Sequence, residues 1–239
     1  MALPMFLAIT PGEMAGLESL SGNFAWMACH FSPYTQGITN LPGQLPRGSI
    51  LMLDDRYPCQ GHSANLAAQQ LEAAVTRSEC DSLLLDFQRP PEPESEAFIR
   101  HLVASLPCPV ALSEPYAHLG QGPVFLSPCP LHRTLDTHLT PWQGREIWLE
   151  AALCQEDLVI TADGTAAVPQ FPPEGRMGGF FSEELCCRYH IITEPEHITF
   201  TLFDTPDSLE KKLKKAHNLG VTRAVGLYQQ LRDFPAGKV

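Results

Sequence analysis

The stretch CDSLLLDFQRPP, residues 80–91, decides the fold. Leu83, Leu84 and Leu85 follow one another without alternation. Such a run suits a strand covered on both faces, as in a parallel sheet or the wall of a barrel. The run ends directly in a carboxylate, Asp86, with Asp81 just before it and Gln88 two residues beyond. The carboxyl ends of parallel strands are where ligand sites are assembled. A buried strand that ends in acid is therefore a candidate site.

Working outward, similar apolar runs recur at MFLAIT (5–10), FAWMACHF (24–31), SILMLDD (49–55), PVALSE (109–114), PVFLS (123–127), EIWLEAAL (146–153), HITFTLF (197–203) and RAVGLY (223–228). Helical spacing lies between some of them. Residues 63–78 carry Leu66, Ala67, Leu71, Ala74 and Val75 behind a possible cap at Ser63. Residues 94–106 place Phe98, Leu102 and Leu106 on one stripe. In 205–220, Thr205 caps ahead of Pro206, or Asp207 caps with Glu210; Leu209, Leu213 and Ala216 face inward, and Gly220 stops the helix. Strand and helix in succession predict one α/β domain over 1–239, a (β/α)8 TIM-type barrel. Several links are too short for a helix, among them Leu112 to Val124 and the His-, Thr- and Pro-rich 131–144. The barrel is thus expected to be distorted or incomplete. LVITADGTAAVPQ (158–170) breaks the rhythm, and Asp163-Gly164 signals a hairpin. It predicts a small β insertion over 155–195, with FPPEGRMGG (171–179) as a loop.

The chain's 27 acids against 16 bases give a net charge of −11. That disfavours nucleic acid and anionic lipid as partners and favours a neutral or cationic ligand. The basic run EKKLKK (210–215) reads as one solvated helix face. No stretch approaches the ~18 apolar residues of a membrane span. The opening MALPMFLAIT lacks a basic n-region and reads as a strand, so a cytoplasmic location is expected. The eight cysteines are scattered without CxxC or zinc spacing, which predicts buried free thiols. Cys29 and His30 are adjacent on a strand, point to opposite faces, and form no dyad. His132, Asp136 and His138 read as a polar loop, not a metal centre. No nucleotide-binding or serine-hydrolase signature is present, and no metal or cofactor is expected.

The strand-end residues are Asp54 and Asp55, Asp86 and Gln88, Glu114 and Tyr116, Glu150, Asp204, and Tyr228 with Gln229. Acids with aromatics at one mouth suit a sugar: acids for its hydroxyls, rings for its apolar face. The same acids are helix caps or loop anchors if they do not converge. Trp148 is expected in the core; Trp26 and Trp142 are open between core and sugar platform.

DSLLLDFQ (81–88) resembles the strand motif D-G-x-D-x-D-x-E of glycoside hydrolase family 18, the chitinases and endo-N-acetylglucosaminidases. FDTPDSLEKKLKKAHNLGVTRAVGLYQQL (203–231) is similar to that family's last helix and strand. The resemblance implies that Asp81 is the first, structural Asp and that Asp86 orients the substrate's acetamido group. It implies Tyr228 at the position of the Trp that floors the sugar site. Leu84 stands where the family has its middle Asp, and Gln88 where it has the proton-donating Glu. An amide has no acidic proton to give near pH 7. Losing a general acid typically costs ~10²–10⁴-fold in rate. With Leu84 uncharged, Asp86 should be ionised unless buried. The expectation is a chitinase-like pseudoenzyme that binds a small N-acetylated saccharide through Asp86 and Gln88, with Asp54, Asp81, Glu114, Tyr116 and Tyr228 around them. Two alternatives remain. One is an active glycosidase pairing Asp86 with Asp54 or Glu114; the other is a non-catalytic interaction protein on a barrel scaffold.

Overall fold

The computed structural model describes residues 3–14, 23–170 and 178–232. The strands are β1 (Met5–Ile9), β2 (Asn23–Phe31), β3 (Ile38–Thr39), β4 (Ile50–Asp54), β5 (Ser82–Asp86), β6 (Val110–Ser113), β7 (Val124–Leu126), β8 (Ile147–Glu150), β9 (Gln155–Thr161), β10 (Gly164–Pro169), β11 (Phe180–Ser182), β12 (Cys187–Thr193), β13 (His197–Phe203) and β14 (Val221–Leu227). Among the described residues, β1, β2, β4, β5, β6, β7, β8 and β14 form a closed parallel barrel. The seam closes at β1, where Leu7 lies in register with Phe24 of β2 and Gly226 of β14. β3 adds a short antiparallel edge on β2.

The unbroken apolar runs are explained by burial on both faces. Phe6, Ala8, Ala25, Ile50, Met52, Leu84, Ala111, Phe125, Trp148 and Val225 fill the barrel interior. Their strand neighbours, such as Leu51, Leu53, Leu83 and Leu85, face outward into the layer under the helices. Leu84 is fully buried in this packing. A carboxylate there would have to be desolvated among hydrocarbon, at a cost an aliphatic side chain avoids.

Three helices match their sequence signals. α1 (Ala64–Arg77) starts at Ser63, whose Oγ accepts the Leu66 N–H at 3.3 Å. α2 (Pro93–Ser105) starts at Glu92, whose N–H donates to Ser95 Oγ at 3.0 Å. After the short α3 (Leu135–Leu139) comes α4 (Pro206–Asn218), capped by Thr205 and not by Asp207, with Leu209, Leu213 and Ala216 buried. Gly220 follows at φ +98, where a side chain would be strained. α5 (Tyr228–Leu231) is a single turn. After β6 there is only a 3-10 segment, Glu114–Leu119. The sheet is complete, therefore, and the distortion lies in the thinned helical layer. No described helix is long and apolar enough to cross a membrane.

β9 to β13 form a separate antiparallel sheet in the order β10-β9-β13-β12-β11, inserted between β8 and α4. The two-residue turn before Gly164 forms as the hairpin signal predicts. One expectation is corrected. HITFTLF (197–203) is β13 of this sheet, not a barrel strand, and pairs with β9 and β12. Ile198, Phe200 and Leu202 alternate with the polar or small His197, Thr199 and Thr201, a two-residue period that suits a half-covered sheet. The loop at 171–179 lies outside the described residues up to position 177.

Leu131, Cys187 and Leu202 form a small core where the sheet meets the barrel. There His132 Nδ1 lies 2.8 Å from Glu156 Oε1, and His138 Nε2 lies 3.1 Å from the Ser127 carbonyl. The sheet also exposes Ile160, Phe180, Ile191 and Ile198.

Candidate functional site at the barrel mouth

Each parallel strand delivers its last inward residue to one rim. β5 ends in Asp86 and β8 in Glu150, two residues beyond the interior Leu84 and Trp148. Both line a cavity of about 70 Å³ at that rim, together with Ala8, Met27, Met52, Phe125, Val225, Gly226 and Leu227. Two carboxyls thus share a space whose other walls are hydrocarbon, thioether and backbone. Gly226 permits a close approach: a Cβ there would run into the Ala151 carbonyl oxygen and the Leu231 side chain.

The two acids differ in their partners. Asp86 Oδ1 accepts a 2.6 Å hydrogen bond from the Gln88 amide. Burial raises the Asp86 pKa, the Gln88 bond opposes that, and Asp54 and Asp55 add to the rise. The sequence-level condition "unless buried" is therefore met, and Asp86 holds a proton more readily than an ordinary Asp. Burial, and then the Asp86 charge, pushes Glu150 up to about 7, with no hydrogen bond to its carboxylate from the described residues opposing it. Two like charges cannot share one apolar-walled space cheaply. Glu150, which lacks the amide bond that favours the Asp86 anion, is the one that takes the proton.

Gln88 stands exposed at the rim. Its own N–H and that of Arg89 donate to the two oxygens of Asp55, at 3.1 and 2.8 Å. Asp55 is nearly buried and holds the chain as it leaves β5. Asp54 lies beside Asp86 in register. It is taken up by Arg56, whose guanidinium and backbone N–H both reach it at 3.0 Å.

The other sequence-predicted residues do not converge here. Asp81 is at the opposite end of the barrel, just before β5 begins, and pairs with Arg223 at 2.7 Å. That guanidinium lies over the Phe6 and Trp148 rings, at 5.3 and 4.8 Å. Glu114 is exposed at the start of the 3-10 segment. Tyr116 is buried outside the barrel wall, its hydroxyl 3.2 Å from Ser95 Oγ. Burial raises its pKa. It borders a second cavity of about 120 Å³, with Asp55, Cys59, Gln60, Arg89 and Glu92 among the lining groups. Tyr228 follows Leu227, which lines the mouth cavity, and is half-buried against the outer core. Asp204 directly follows β13 and is paired with Lys212 at 2.8 Å. Trp26 Nε1 donates to the Asn40 carbonyl at 2.8 Å, and Trp142 packs against the outer layer. Burial pushes the Cys29 thiol up to about 12, so it is no nucleophile.

Glu150 is among the strand-end acids read from the sequence but outside the narrower set. The signal was available: Trp148 and Glu150 repeat the two-residue step of Leu84 and Asp86. Which strand end faces which, however, is set by barrel closure and not by local sequence.

No family model matches the sequence, and no curated protein matches it. Solved structures do. A glutamate-to-glutamine mutant of the class V chitinase from Nicotiana tobaccum, in complex with NAG4, is 9% identical with a TM-score of 0.61, covering 95% of this chain and 93% of that one. A glycoside hydrolase family 18 N-acetylglucosaminidase from Paenibacillus barengoltzii is 11% identical with a TM-score of 0.57, covering 94% of both chains. The spore cortex-lytic enzyme SleL of Bacillus megaterium is 8% identical with a TM-score of 0.58, covering 94% of this chain and 70% of that one. The chain therefore has the fold of the glycoside hydrolase family 18 chitinases and SleL-type enzymes.

Proposed function

We propose that this chain binds an N-acetylated saccharide at the barrel mouth and does not cleave it by the family's route. The observation that carries this is the Gln88–Asp86 hydrogen bond at the rim. Gln88 occupies the position of the proton donor, yet its amide offers only a hydrogen bond. Asp86 beside it keeps a carboxyl for an acetamido N–H. The neighbours in complex with (GlcNAc)3, (GlcNAc)4 or NAG4 support a saccharide as ligand of this fold, and two of those were glutamate-to-glutamine mutants. The cavity of about 70 Å³ is well below the ~300 Å³ of a pocket that encloses a whole ligand. It takes a substituent, with the sugar ring lying across the rim.

The test is titration of the wild-type chain and Gln88→Glu with chitooligosaccharides, followed by both NMR and a hydrolysis assay. Wild type should bind without turnover, and Gln88→Glu should bind and hydrolyse measurably. Robust wild-type turnover would overturn the proposal. A glycosidase pairing Asp86 with Asp54 or Glu114 draws little from the geometry, since Arg56 occupies Asp54 and Glu114 stands exposed on the next turn.

A non-catalytic interaction role is the second reading. The exposed Ile160, Phe180, Ile191 and Ile198 on the antiparallel sheet favour it. If millimolar saccharide leaves every resonance of the mouth unmoved, this reading replaces the first.

A further inference from the structure

We propose that Glu150 is the specificity-determining hydrogen-bond donor of the mouth, placed opposite Asp86 so that the two carboxyls grip one secondary amide from either end. Asp86 accepts the amide N–H, and Glu150 in its acid form donates to the carbonyl oxygen. The inference rests on the saccharide reading above and assigns a residue outside the family motif.

Asp86 and Glu150 come from different strands and border the same small cavity. The remaining walls, Met27, Met52, Phe125 and Leu227 among them, offer a methyl group contact and offer a charge nothing. Two carboxylates in that space repel each other, so one keeps a proton. The choice of which one follows from their partners. Asp86 has the Gln88 amide, which favours its charged form. Glu150 borders the same cavity as Asp86 and has Cys154 beyond it in its own exit segment, while Asp54 and Asp55 bear on the Asp86 side. Among the described residues, no cation is among the groups acting on Glu150. One acceptor and one donor then stand at the entrance of an apolar hole. An acetamido group presents the complement: an N–H, a carbonyl oxygen and a methyl. A free hydroxyl or an ammonium in its place would leave the Glu150 proton or the methyl-lined wall unmatched.

The experiment is calorimetric titration with (GlcNAc)3 and with its de-N-acetylated counterpart, at pH 5.5 and pH 8.5. Wild type, Glu150→Gln and Glu150→Met are compared, each checked for an unchanged fold by circular dichroism. The (GlcNAc)3 ligand has no titrating group in this range. Wild-type affinity for it should fall by about 30-fold between the two pH values, the loss of the acid form of a group with its midpoint near 7. Glu150→Gln keeps a donor at every pH and should vary by less than about 3-fold. Glu150→Met should bind weakly at both, and the de-N-acetylated ligand should bind weakly to all three proteins.

Wild-type binding that is flat in pH overturns this inference and leaves the saccharide reading standing. So does a Glu150→Gln curve that falls with wild type. Absence of any wild-type binding removes both. Turnover that Glu150→Gln abolishes also overturns it, because the proton would then be consumed in bond breaking.

Discussion

The side-chain amide of Gln88 donates to Asp86 Oδ1 across 2.6 Å, two residues back along the same strand exit. The bond stabilises the charged form of Asp86 against burial and the nearby Asp54 and Asp55. Gln88→Leu should therefore raise the Asp86 midpoint further. Carboxyl ¹³C shifts followed through acid titration measure it; an unchanged or lowered midpoint would show that the amide does not act on Asp86.

Glu150 links the mouth to stability. Its midpoint is up from 4.5 to about 7 in the fold, so the native state binds the extra proton between those values. Stability from this group is complete below about 4.5 and is lost as pH rises through 7, by at most about 3 kcal/mol. Glu150→Gln should flatten urea-unfolding midpoints between pH 5 and pH 8 and stabilise the chain at pH 8. A variant as pH-dependent as wild type would place the titration elsewhere.

Asp204 and Lys212 tie the insertion to α4 with side chains almost wholly out of water. Burial works against the Lys212 ammonium, but Asp204 outweighs it and the net shift is upward. Asp204 also accepts from Ser208 Oγ at 3.2 Å and from the Cys154 N–H at 3.3 Å. Lys212→Met strands that carboxylate and should cost roughly 3–5 kcal/mol, whereas adding Asp204→Leu should recover much of the loss. Denaturant melts of the two single variants and the double variant give the coupling directly.

Tyr116 borders the outer cavity. Tyr116→Phe removes its hydroxyl from Ser95 and should cost roughly 1 kcal/mol. Saccharide affinity should stay within about 2-fold, since Tyr116 lies outside the barrel wall. A larger loss of affinity would move the site to the outer cavity.

The barrel was legible because burial on both faces writes itself as unbroken apolar runs, as at Leu83 to Leu85. Helix caps were legible at Ser63 and Thr205 for equally local reasons. HITFTLF misled because an apolar strand says little about which sheet it joins; only its alternation separates it from SLLLD. At the site, Asp86 and Gln88 were legible from one strand. The place of Tyr116 was not, since whether a ring just past a strand end turns over the mouth or under a helix depends on the next turn. Asp81 precedes its strand and so belongs to the other rim. Glu150 required knowing what faces it across the closed sheet.

The closure of the barrel at β1 has a consequence for synthesis. Seventy residues separate Glu150 from Val221, the ends of β8 and the start of β14. At ~5–20 residues per second, a nascent chain waits several seconds for its final stave. In that interval β1 and β8 offer unpaired edges, an invitation to mispairing. Val225, Gly226 and Leu227 arrive with that stave, so no partly made chain can display a finished mouth.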